Sequence, residues 1–128
     1  MTKLDRSFIL SVLRNNDQLL APAQHKICLP ILNRIYKKMI HGLKFDDIKV
    51  YENLIIDGHH RYLASILSEV PLDQAMSSKT IATIEFNWQT DVDFVEEEWD
   101  TKEKILILNR LDAEFNNIPL QEIVEMTK

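Results

Sequence analysis

The chain contains only two glycines, and one of them sits in its most chemically crowded stretch. Leu54 to Ser65 reads LIIDGHHRYLAS. An apolar run stops at Asp57, Gly58 follows, and His59, His60 and Arg61 open a segment with apolar residues at Tyr62, Leu63, Ile66 and Leu67, the spacing of a helix. A strand that stops at a glycine and turns straight into a helix aims backbone N–H groups at one point, and such a helix start attracts anions. Two imidazoles, a guanidinium and a carboxylate share this turn, and no other stretch concentrates chemistry in the same way.

The surrounding pattern alternates helices and short strands. Leu4, Phe8, Ile9, Val12 and Leu13 give an amphipathic helix over 4–14, ended by Asn15, Asn16 and Asp17. Leu19 to Gln24 reads as a linker. Pro30 suits the first turn of a second helix, whose stripe is Ile31, Leu32, Ile35, Tyr36, Met39 and Ile40. Arg34, Lys37 and Lys38 fall off that stripe, as on a solvated face, and Gly42 stands where a left-handed C-terminal residue is expected. Residues 48–56 read as a hairpin turning at Glu52-Asn53. The helix after Gly58 should end near Glu69, before Pro71. Residues 72–79 read as loop and 80–86 as a strand, with apolar groups at Ala82, Ile84 and Phe86. Thr101 suits the cap of a helix with an apolar face at Ile105, Leu106, Leu108 and Leu111, and a last short helix follows Pro119.

The length suits one domain, 1–128, with a core about 30–86 and a helical C-terminal extension about 101–128. The lone Cys28, between Ile27 and Leu29, rules out an intrachain disulfide and a cysteine zinc site, and reads as a buried thiol. The stretch MTKLDRSFILSVLRNN lacks the apolar region and cleavage site of a secretory leader, and no run approaches a membrane span. The expectation is a cytoplasmic protein with no membrane contact. The net charge of −5 is uneven. Residues 1–62 hold ten Lys and Arg against six Asp and Glu, whereas 63–128 hold five against fourteen. A basic half bearing the motif suits a compact phosphate ligand better than wrapped nucleic acid.

The segment LPILNRIYKKMIHGLKFDDIKVYENLIIDGHHRYLASIL runs helix, glycine turn, hairpin, DGHHR, helix. It resembles the ParB/sulfiredoxin-like fold, and its DGHHRY form is similar to that of ParB-related free serine kinases and of small domains in bacterial polymorphic toxin systems. The resemblance covers roughly a third of the chain. It implies an α+β fold, a small mixed sheet flanked by helices, here with added N- and C-terminal helices. It also implies nucleotide binding, with ATP or CTP and magnesium as candidate cofactors, and phosphoryl transfer or phosphoester hydrolysis as the reaction class.

Carried over residue by residue, the resemblance makes Gly58 the close-approach glycine, Arg61 a phosphate-binding arginine and His60 a second phosphate-facing group. His59 stands where sulfiredoxins carry their reactive cysteine, which removes that thiol chemistry. Asp57 would activate a hydroxyl or hold a magnesium-bound phosphate. Each residue also has a plainer role: Asp57 as an N-cap, Arg61 as the ion-pair partner of Asp57 or Asp46, and the histidines as packing groups. The candidate catalytic residues are therefore Asp57, His59, His60 and Arg61, and the candidate phosphate-binding residues Gly58, His60 and Arg61. Adjacent His59 and His60 point differently on a helix and would not chelate one metal. Two further functions stay open. One is an interaction protein of the immunity or antitoxin type, binding a basic partner through the acidic residues 91–100 (DVDFVEEEWD), where Phe94 and Trp99 lie among the acids. The other is a nuclease, which the net charge disfavours.

Overall fold

A computed structural model describes residues 4–128; the first three residues of the stretch read for a leader lie outside it. Helix α1 (Arg6–Arg14) starts where the Asp5 carboxylate accepts the Phe8 N–H at 2.9 Å, and it buries Ile9, Leu10 and Leu13. Strands β1 (Ala21–Pro22) and β2 (Lys26–Cys28) lead into α2 (Leu29–Ile40). The latter ends in a Schellman turn, with Gly42 at φ +91° and bonds from Gly42 N–H to Met39 O and from Leu43 N–H to Lys38 O, both 3.0 Å. The hairpin β3 (Ile48–Tyr51) and β4 (Leu54–Asp57) follows, then α3 (His59–Ser68), β5 (Gln74–Met76), β6 (Asp93–Val95), α4 (Lys102–Asn116) and α5 (Leu120–Met126).

The fold is α+β. One sheet has the order β1-β4-β3-β5; β3 and β4 are antiparallel, and β1 and β5 add to them in parallel. A second sheet pairs β2 with β6 in parallel, Lys26 opposite Asp93 and Cys28 opposite Val95. The main core fills the space between the larger sheet and the helices with Ile9, Leu13, Ile27, Leu32, Ile48, Ile55 and Leu63, all essentially inaccessible. A small separate cluster of Leu43, Ala113 and Ile123 anchors α4 and α5 beside the end of α2. No described helix is long and apolar enough to cross a membrane.

Four expectations need correction. Residues 80–86 form no strand: β1 and β5 already occupy the two sides of the β4–β3 hairpin, and only the Phe86 N–H reaches a neighbour, Pro22 O at 2.8 Å. A strand needs a partner as well as an alternating pattern, so Ile81 and Ile84 stay exposed. The linker over 19–24 and the loop over 72–79 each contain a short strand, β1 and β5, recruited by backbone pairing that their composition does not signal. Lys37 and Lys38 are not solvated: both are buried, Lys37 Nζ donating to Lys128 O at 2.9 Å and Lys38 Nζ to Asp112 Oδ2 at 2.6 Å. At the centre of the acidic stretch 91–100 lies β6.

Candidate functional site

Gly58 is fixed by geometry on two counts. Its φ is +95°, and a Cβ there would lie 2.6 Å from Ile48 Cγ2 and 2.8 Å from Arg61 Nη2. Only glycine lets β4 turn into α3 at this distance. Gly58 occupies the N-cap position and brings no side chain to cap the helix. Asp57 sits one residue earlier and does not serve as the cap. The first bond of the helix is Tyr62 N–H to Gly58 O at 2.8 Å, so the N–H groups of the first turn have no partner inside the helix.

The two histidines face back toward the β1–β2 segment. His59 Nε2 accepts the Ala23 N–H at 2.9 Å, and His60 Nε2 accepts the Cys28 N–H at 2.9 Å. Each ring is thus a staple holding one end of the stretch that carries β2. The accepting Nε2 fixes the neutral tautomer with the proton on Nδ1. His59 is buried and His60 half-buried, with the Trp99 ring nearly perpendicular to the His60 ring and the ring centres 5.5 Å apart. Burial lowers the pKa of both to about 4; the Asp57 charge opposes this for His59, and the neighbouring His59 reinforces it for His60. At neutral pH neither ring brings a positive charge to an anion. What His60 can offer a ligand is Nδ1–H.

Arg61 brings the charge. Its guanidinium is held loosely, with Nη1 at 3.2 Å from Asp46 O and 3.4 Å from Asp47 O, and Nη2 at 3.6 Å from the Asp57 carboxylate. The Asp57 side chain is itself two-thirds exposed. Ion pairing of Arg61 with Asp57 and a position beside the helix start are therefore both present.

All five residues of the DGHHR turn line one cavity of about 690 Å³, together with residues of α2 and α4. Three further cations line it: Arg34, Lys38 and Lys104. Arg34 forms a two-pronged pair with Glu98 and also reaches Asp100 at 3.4 Å, which holds the Glu98 carboxyl below its usual pKa. Lys104 meets Asp100 at 3.2 Å and Lys38 meets Asp112 at 2.6 Å. The acidic stretch thus spends Glu98 and Asp100 inside the chain, and Asp91, Asp93, Glu96 and Glu97 remain exposed.

Arg34, Lys38, Asp100, Lys104, Asn109 and Asp112 were not among the candidate residues. One signal was present: Arg34 and Lys38 are four apart, on the same helical face as Ile31 and Ile35. Nothing in the sequence shows that α4 packs opposite them. Among the described residues, no three His, Cys, Asp or Glu side chains come together as a metal site. Comparison of the chain with protein-family models, with curated proteins and with solved structures finds no match.

Proposed function

We propose that the chain is a ParB/sulfiredoxin-like domain that binds a phosphate-bearing small molecule, a nucleotide in the first instance, at the DGHHR turn. The observation that carries this reading is the uncapped start of α3 on the wall of a 690 Å³ cavity, with Arg61 beside it. A cavity of that size takes a ligand of nucleotide dimensions. The phosphate would rest on the first-turn N–H groups after Gly58, the Arg61 fork would turn from its long contacts to the phosphate oxygens, and His60 Nδ1–H would add a neutral donor. Arg34, Lys38 and Lys104 line the same space, each paired with a carboxylate, which leaves Arg61 as the cation with the longest contacts.

The proposal extends to phosphoryl transfer or phosphoester hydrolysis, with Asp57 as base or as a ligand of nucleotide-bound magnesium. Its exposed carboxylate beside the turn fits either role, because magnesium commonly takes one or two protein carboxylates together with substrate phosphates. Calorimetric titration with inorganic phosphate, ATP and CTP, with and without magnesium, tests the binding. Arg61→Ala should weaken phosphate binding about tenfold or more, the effect of losing one charge-assisted hydrogen bond. Asp57→Asn should keep binding and remove turnover. Equal binding by wild type and Arg61→Ala would sink the reading.

A second reading, an interaction protein of the immunity or antitoxin type, draws support from α4. Its Leu106, Ile107, Leu111 and Phe115 are exposed, an apolar stripe of the kind that protein partners cover, and Trp99 is exposed just before the helix.

A further inference from the structure

Helix α4 runs for 15 residues, yet only Asn109 and Ala113 are buried along it. At about 100° per residue, Lys104, Ile107, Leu111 and Glu114 share the face opposite Asn109. Ile107 and Leu111, at the centre of that face, are 54% and 55% exposed. Leu108 and Phe115 run along one flank and are exposed too. The three- and four-residue steps from Lys104 to Glu114 are those of a coiled-coil seam. An exposed apolar helix face of this kind marks an interaction surface.

Read in order, the seam is Lys, Ile, Leu, Glu, a pattern complementary to its own reverse. We propose that α4 is a homodimer interface, packing antiparallel against α4 of a second copy about a two-fold axis. Such an isologous contact sets Ile107 against Leu111 of the second copy and Lys104 against its Glu114, each pair formed twice. Leu108 meets its own counterpart on one flank. Arg110 does the same on the other flank, with Glu114 one turn along the helix to offset the charge. A parallel pair would oppose Lys104 to Lys104 and Glu114 to Glu114, so the charges select the antiparallel arrangement. Lys104 is 61% exposed beside its Asp100 contact, and among the described residues Glu114 makes no ion pair within the chain. Both are therefore open to the second copy. The contact is independent of the phosphate reading, and it gives the exposed face of α4 one occupant, a second copy rather than a foreign protein.

Sedimentation velocity at about 5 µM to about 1 mM protein tests this, with thermal melts as a check on folding. One helix pair is smaller than a standard interface, so the wild-type chain should dimerise with a dissociation constant of about 10–100 µM. Ile107→Asp, a change at an exposed position, should leave the chain monomeric throughout. Glu114→Lys should weaken the dimer about tenfold, because it opposes two cations at both symmetry-related pairs. Adding Lys104→Glu to Glu114→Lys restores opposite charges across the two-fold axis and should bring association back to within about threefold of wild type. A wild-type chain that stays monomeric at about 1 mM overturns the proposal, whether or not the same face binds a different protein. A dimer that survives Ile107→Asp lies elsewhere on the surface and overturns it equally. A double variant no tighter than Glu114→Lys alone refutes the antiparallel pairing.

Discussion

Acidification should destabilise this protein through two residues, His59 and His60. In the folded chain both are neutral acceptors with pKa about 4, and in the unfolded chain each returns to about 6.5. The unfolded state therefore binds more protons between these values, and stability falls as pH drops through that window. The contribution is fully present above pH 6.5 and is lost progressively down to about pH 4, below which it changes no further. Each ring should cost about 2 kcal/mol between pH 7 and pH 5 and about 3 kcal/mol by pH 4. The rings are neighbours and repel when charged, so their joint loss is a single coupled quantity of about 4 kcal/mol at pH 5. That is a large part of the 5–15 kcal/mol typical of a domain. The geometric reason is direct: a protonated Nε2 cannot accept from Ala23 or Cys28, and the β1–β2 segment loses both staples. Urea unfolding followed by circular dichroism from pH 7.5 to 4.5 measures the loss. Carboxylates titrate in the lower part of this range, so the readout is the difference between wild type and the double variant His59→Gln with His60→Gln, whose amide oxygens accept but do not titrate. Superimposable pH profiles for the two proteins would refute the reasoning, as would C2 proton resonances assigned to His59 and His60 that titrate near pH 6.5.

Three other outcomes follow from the same geometry. Gly58→Ala should destabilise the fold by about 2 kcal/mol or more, from the left-handed φ and the clash with Ile48, read in the same urea assay. Glu69, exposed at the end of α3 with φ +58°, should tolerate glycine with a gain of about 0.5–1 kcal/mol, visible as a higher melting temperature. Asn109→Leu should stabilise the ligand-free protein by about 1 kcal/mol, because it removes a buried acceptor that has no partner; a destabilised variant would mean that the amide is satisfied in solution.

Local signals were strong where one element decides its own shape. The Thr101 cap, the Gly42 turn and the β3–β4 hairpin all follow from residues within a few positions of one another, whereas the Asp5 cap, which starts α1 at Arg6 and not at Leu4, was missed. Gly58 was legible as a backbone requirement, though the Ile48 contact that enforces it was not. The failures share a cause. Short β1 and β5 depend on pairing with the hairpin, and 80–86 has a strand pattern but makes a single backbone bond to the edge strand β1, Phe86 N–H to Pro22 O. The site shows the same limit: the DGHHR turn stands out in the sequence, but much of the cavity lining comes from α2 and from α4, which lies some forty residues downstream. The direction of the histidine rings was equally invisible, since Ala23 and Cys28 are tied to them only by the fold.

The central claim is that the start of α3 holds a phosphate, and amide-resolved NMR tests it most directly. In a titration of the ¹⁵N-labelled chain with inorganic phosphate and then ATP at pH 7.5, the account predicts saturable downfield shifts concentrated on the backbone amides of Gly58, His59, His60 and Arg61, with the Arg61 side-chain Nε–H moving in step. Saturable shifts that map elsewhere, or no shift at these four amides at millimolar ligand, would contradict it.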